Sequence, residues 1–195
     1  VGDLLDAAVP AILSGAQIEA DKLGEAEQHI DRQHAAIVGF LEKLLEPGQS
    51  PDVSRMAIDL VEAADYLESI GDQIDREMIP LFKRHAESGS TISAQAREGL
   101  SAFAQAVSQE LRQALRAVKE TDSALAQSVL ASKAQLRTLE RAAIEPQLQS
   151  GRTEAPQWVL PSTLERELAE SLRRVYSLIR RFVCVGTGMH GSDAN

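Results

Sequence analysis

Glu68 and Asp72 stand four residues apart in the run Glu62-Ala63-Ala64-Asp65-Tyr66-Leu67-Glu68-Ser69-Ile70-Gly71-Asp72-Gln73-Ile74-Asp75. On a helix this spacing sets both carboxylates one turn apart on the same side. Asp65, Glu68, Asp72 and Asp75 then share an arc of about 80°, beside an apolar stripe of Ala63, Leu67, Ile70, Ile74 and Leu81. Glu27 and Asp31 form a second pair at the same spacing, with His34 on the same edge. They flank a stripe of Leu23, Ala26, Ile30, Ile37, Leu41 and Leu44. If the two helices pack antiparallel, Glu27, Asp31, Glu68 and Asp72 share one groove, whose oxygen donors suit a hard cation or iron.

One acidic pair alone is more commonly a solvated helix face. Like charges four residues apart destabilise a helix by a few tenths of a kcal/mol per pair, so two such pairs on consecutive helices call for a cause. Gly71 inside the same run costs about 1 kcal/mol against Ala and predicts a close approach by the neighbouring helix. Covalent or redox chemistry finds less support. Carboxylate-bridged di-metal oxidases use Glu-x-x-His pairs, and no Glu lies three residues before His29, His34, His85 or His190. His29 and His85 read as surface residues, and the single cysteine, Cys184, as a small packed side chain. No nucleophile–base arrangement and no organic cofactor motif is visible.

The elements that must carry these residues are all helical. A short helix over Asp3–Leu13 precedes a long one over Ala16–Leu45, which stops at Pro47-Gly48. A third opens at Pro51-Asp52 and runs to His85, with Pro80 expected to kink it. Ser88-Gly89-Ser90-Thr91 reads as a linker. Beyond it, helices are expected over Ser93–Lys119, Asp122–Gln149 and Ser162–Val185, with a loop over Ser150–Pro161. The same short–long–long order thus occurs twice, which predicts an all-α fold of two tandem three-helix bundles, an internal repeat. The first bundle covers residues 1–88 and the second 92–185, and the Gly-rich tail 186–195 is expected to be disordered.

Composition narrows the function classes. Aromatic residues are only 4%, so the core rests on Leu, Ile, Val and Ala. The net charge of -9 and pI near 5.0 disfavour nucleic acid as a partner. A lone cysteine precludes an intramolecular disulfide and suits a reducing compartment. No apolar run approaches the roughly 20 residues of a membrane span, and no signal peptide is visible. The chain opens Val1-Gly2-Asp3 without Met, so it reads as a fragment whose missing part would be the membrane part.

The segment Ala64 to Asp72 resembles the signature of PhoU-type domains, in which a Glu-x-Ile-Gly-Asp motif sits in the third helix of a repeat. Glu27 and Asp31 match the acidic motif of the second helix in that family. The closer similarity is to the PhoU-like region of bacterial sodium–phosphate cotransporters, on Ala11-Ile12-Leu13-Ser14-Gly15 and on Glu170 to Ser177. The resemblance implies a non-enzymatic regulatory role in phosphate transport and homeostasis. Its metal, iron, zinc or another divalent ion, would be held by Glu27, Asp31, Glu68 and Asp72, with Asp65 and His34 as further candidates. Implied partners are the membrane domain of a phosphate transporter, fused or separate, or a phosphate-sensing protein, with a homodimer as a further expectation. The place would be the cytoplasmic side, at the inner face of the cell membrane.

The second repeat departs from that pattern. Aligning the repeats sets Lys133 and Arg137 opposite Glu27 and Asp31, and Arg173 and Ser177 opposite Glu68 and Asp72. Cations and a hydroxyl do not replace carboxylates, so any metal belongs to the first bundle. Arg112, Arg116, Arg137, Arg141, Arg173, Arg174, Arg180 and Arg181 either pair with local acids such as Glu140, Glu167 and Glu170 or form a docking or anion-sensing face. Two alternatives stand beside the regulatory reading: a helical adaptor without metal, and a di-metal oxidase.

Overall fold

A computed structural model of the chain describes residues 1–14, 20–45, 48–88, 92–150 and 159–189. Among them every regular element is helical. These are α1 (Gly2–Ser14), α2 (Ala20–Glu42) with a 3-10 turn at Lys43–Leu45, α3 (Pro51–Gln73), a π turn (Ile74–Met78) and α4 (Ile79–Ser88). Four more follow: α5 (Ala94–Glu120), α6 (Ser123–Ala131), α7 (Lys133–Ser150) and α8 (Val159–Gly186). Side-chain caps fix several starts. Ser50 accepts from the amide of Val53 at 3.3 Å and Ser93 from that of Ala96 at 3.1 Å. Asp122 accepts from both Ala124 and Leu125 at 3.0 Å, a pair of caps that opens α6 directly after Thr121 in the left-handed region (φ 52°).

Three boundaries differ from expectation, each for a local reason. Pro80 does not simply kink a helix. The turn before it widens, and the amide of Ile79 bonds back to the carbonyl of Ile74. Proline has no N–H for the carbonyl four residues earlier and its ring crowds that carbonyl, so the wider turn relieves both problems. The single helix expected over Asp122–Gln149 breaks at Ser132, whose hydroxyl donates to the Val129 carbonyl at 2.8 Å and competes with the helical ladder. The start of α8 at Val159 places Pro161 within the first turn, where its missing N–H is tolerated. Gly89 to Thr91 of the expected linker, residues 151–158 of the expected loop and residues 190–195 of the tail lie outside the described residues.

The helices pack around one continuous apolar cluster running from Leu5 and Ile12 through Ile70 and Met78 to Phe103, Leu111, Leu172 and Ile179. The α2 and α3 helices form an antiparallel hairpin, α5 packs on α7 and α8, and α3 packs extensively on α8 across the two halves. Cys184 is half-buried against this cluster. Two side chains depart from the pattern. Ile37, placed on the α2 core stripe, is 45% exposed and lines an open apolar groove with Phe40, Leu60 and Leu115. His85 is buried rather than on the surface, its Nδ1 2.8 Å from the Ile12 carbonyl. Among the described residues no helix is long and apolar enough to cross a membrane.

Candidate functional site

The α2–α3 seam is set by a small residue facing a branched one. A Cβ at Gly71 would lie 3.3 Å from Ile30 Cδ1, so the glycine lets the two helices close to van der Waals distance. One and a half turns along, His34 Nε2 meets Asp65 Oδ1 at 2.7 Å and locks the antiparallel register. This register brings Glu27 of α2 within electrostatic reach of Asp72 and Asp75, and Asp31 within reach of Glu68.

The acids perturb one another in the way close carboxylates must. Burial raises the pKa of Glu27 above its usual value, and Asp31, Asp75 and Asp72 raise it further. Glu68 is likewise raised, first by burial and next by Asp72, against partial relief from His34 and Arg76. Arg76 sits in the π turn and pairs with Asp72 at 3.1 Å, but it is itself largely exposed. One exposed guanidinium against this many carboxylates leaves the seam negative.

All four sequence-predicted carboxylates therefore share one seam. Asp65 and His34 are placed differently: they bond to each other at the edge of the acidic group. Asp75, recognised on the acidic ridge but not as a candidate ligand, belongs to the seam through Glu27. Its signal was its place seven residues after Glu68, two turns along the same face. The donor chemistry fits a hard divalent cation, and the repulsion that such a cation would relieve is present. A formed coordination shell is not: among the described residues no three His, Cys, Asp or Glu side chains converge as metal ligands.

The second half carries the opposite charge at the matching seam. Lys133 and Arg137 of α7 face Arg173, Ser177 and Arg180 of α8 around a cavity of about 360 Å³. Glu140 pairs with Arg173 at 3.3 Å and Arg174 reaches Glu77 at 3.8 Å. Others of the basic set are also tied to acids: Arg116 to Glu120 at 3.0 Å, four residues away, and Arg112 to Asp6 of α1, across the two halves.

The fold is similar to that of a solved protein. The crystal structure of PhoU from Pseudomonas aeruginosa matches with a TM-score of 0.84 over 95% of this chain and 87% of that one, at 18% sequence identity. At that identity the likeness establishes a PhoU-like helical fold and nothing finer. No family model matches the chain, and no curated protein matches it.

Proposed function

We propose that this chain is a non-enzymatic regulatory domain of phosphate transport and phosphate homeostasis, acting by contact with a transporter or sensor. The observation that carries this reading is a PhoU-like fold over almost the whole chain together with the acidic α2–α3 seam. Within it, Glu27, Asp31, Glu68 and Asp72 would hold a divalent cation, which would supply positive charge that screens their repulsion and cross-links α2 to α3. The chain's own residues do the rest. Gly71 and Ile30 bring the helices together, and the His34–Asp65 pair fixes their register.

The partner is the cytoplasmic face of a phosphate transporter, most specifically a sodium–phosphate cotransporter to which the domain is attached, or a phosphate-sensing protein. Action by contact is supported by exposed apolar side chains on the α2–α3 hairpin: Phe40 and Met56 are 61% and 62% exposed, and Phe40 lines an apolar groove with Ile37 and Leu60. A metal-free adaptor is the second reading, favoured by the absence of three converging ligands among the described residues.

Elemental analysis of protein purified without chelator, with melting curves in iron, zinc, manganese and magnesium, separates the two readings. A cation that binds only the folded state at 100 times its dissociation constant raises stability by about 2.7 kcal/mol. No bound metal and no shift in melting temperature leaves the adaptor. The regulatory reading itself is tested by pull-down with the transporter's cytoplasmic face and by deletion in cells; unaltered phosphate uptake together with no capture would overturn it.

A further inference from the structure

The charge of this molecule is divided. Residues 1–88 hold 18 acids and 7 Lys or Arg, whereas residues 89–195 hold 11 acids and 13 Lys or Arg, so the net charge of -9 arises wholly in the first half. Within the second half the cations gather at the α7–α8 seam. Lys133, Arg137, Arg173, Arg174 and Arg180 line its cavity of about 360 Å³ against a single carboxylate, Glu140. A neighbouring cavity of about 450 Å³ shares Lys133 and Arg137 and adds Arg141.

Structural needs do not explain this arrangement. Lys133, Arg137 and Arg141 are spaced four apart on α7, a like-charge series that weakens a bare helix. Lys133 also stands in the first turn, where the positive end of the helix dipole opposes a cation. Lys133 and Arg137 make no ion pair among the described residues. By contrast Arg173 is held in place by Glu140 at 3.3 Å and Arg174 by Glu77 at 3.8 Å, so the far wall is oriented in advance.

The cavity has a physical origin in the seam itself. Where the first half has Gly71 against Ile30, the second has the bulky Tyr176 beside Leu136, both buried. Tyr176 is anchored through its hydroxyl, 3.1 Å from Ser132 Oγ, and α7 and α8 are less extensively packed together than α2 and α3. Phe103, Leu136 and Tyr176 supply an apolar wall opposite the cations. An apolar wall, planar guanidinium donors and a volume within the range of small-molecule sites describe a receptor for a phosphate ester.

We propose that the α7–α8 seam is an oxyanion site for a phosphate-bearing small molecule, with Lys133, Arg137, Arg173 and Arg180 meeting the phosphoryl oxygens. The two halves would then bind opposite charges on equivalent seams: a cation between α2 and α3, an anion between α7 and α8. This inference does not depend on the regulatory reading, and either stands if the other fails.

Titration calorimetry on the full chain in chelator tests it, using ATP and inorganic phosphate as separate probes at fixed ionic strength. Saturable binding is expected, weakened at least about tenfold in the Lys133→Gln/Arg137→Gln double variant, in line with the loss of charge-assisted contacts. Both side chains reach solvent, and an unchanged helical circular dichroism spectrum shows that the variant is folded. An Arg55→Gln variant, altered at an exposed position of α3 that does not line the cavity, is expected to bind as the parent does. Binding of inorganic phosphate as tight as that of ATP identifies the free anion as the ligand, whereas binding of ATP alone identifies an organic phosphate. The proposal is overturned if neither probe saturates, if the double variant binds equally well, if sulfate at the same ionic strength reproduces the heat, or if a short RNA outcompetes both.

Discussion

Two kinds of residue behave differently from their neighbours. Glu68 is a carboxylate held beside Asp72 and Asp31 with its ionised form disfavoured by burial. Replacing it by Gln removes that repulsion and keeps the shape. Metal-free Glu68→Gln protein is therefore expected to be more stable than the parent by a few tenths of a kcal/mol, read from urea midpoints in chelator. The same substitution should shrink any stabilisation by divalent cations; a variant stabilised by metal as strongly as the parent would remove Glu68 from the site. His85 is the opposite case, a buried group whose Nδ1–H donates to the Ile12 carbonyl and so ties α4 to the last turn of α1. His85→Ala removes both a donor and packing volume, with an expected loss of about 2 kcal/mol. A loss under about 0.5 kcal/mol, the scale of ordinary surface substitutions, would show that the bond contributes nothing. The acidic pairs were legible because spacing alone fixes their face. His85, expected at the surface, is buried, since its step of four residues from Leu81 sets it on the buried side of α4.

At the scale of elements, existence was legible and continuity was not. Proline and glycine breaks located the ends of α1 and α2 and the starts of α3 and α5 to within a few residues, since each interrupts the helical ladder directly. The break at Ser132 escaped notice because serine is tolerated in helices, and only the observed bond to Val129 shows it competing with the backbone. The π turn escaped for a related reason: Pro80 announces a defect without saying what form it takes. Two helix–helix contacts make the same point in testable form. A Cβ on Gly99 would lie 2.9 Å from the Ala143 Cα, where backbone meets backbone and neither side has a rotamer to change. Gly99→Ala should force α5 and α7 apart and cost about 2 kcal/mol. At Gly71 the nearest atom, 3.3 Å away, is the terminal methyl of Ile30, which has freedom to move. There the helix propensity of Ala, worth about 1 kcal/mol over Gly, offsets the crowding, and Gly71→Ala should stay within about 1 kcal/mol of the parent. Equal melting temperatures for the two variants would contradict this ordering.

Across the whole molecule, burial and like charge act in one direction on pH dependence. Glu27, Glu68 and Glu110 all have pKa values raised above the usual 4.5, with burial as the leading cause in each. A raised value means that the folded chain holds these protons more tightly than the unfolded chain. Just above pH 4.5 the folded state therefore carries more bound protons, and stability must fall as pH rises through the raised values. Self-repulsion adds to the trend, since the net charge moves toward -9 over the same range. The urea midpoint of metal-free protein is thus expected to decline from about pH 4.5 toward neutrality. The two seam acids and Glu110 then separate by their response to a cation. A bound divalent ion takes the place of protons at Glu27 and Glu68 and should flatten their share of the decline. Glu110 lies in the second half, next to Ser132 rather than in the acidic seam, so its share should persist. Stability that climbs across this window in metal-free protein would show that the seam carboxylates are stabilised as anions by the fold, and that no cation is needed to hold α2 against α3.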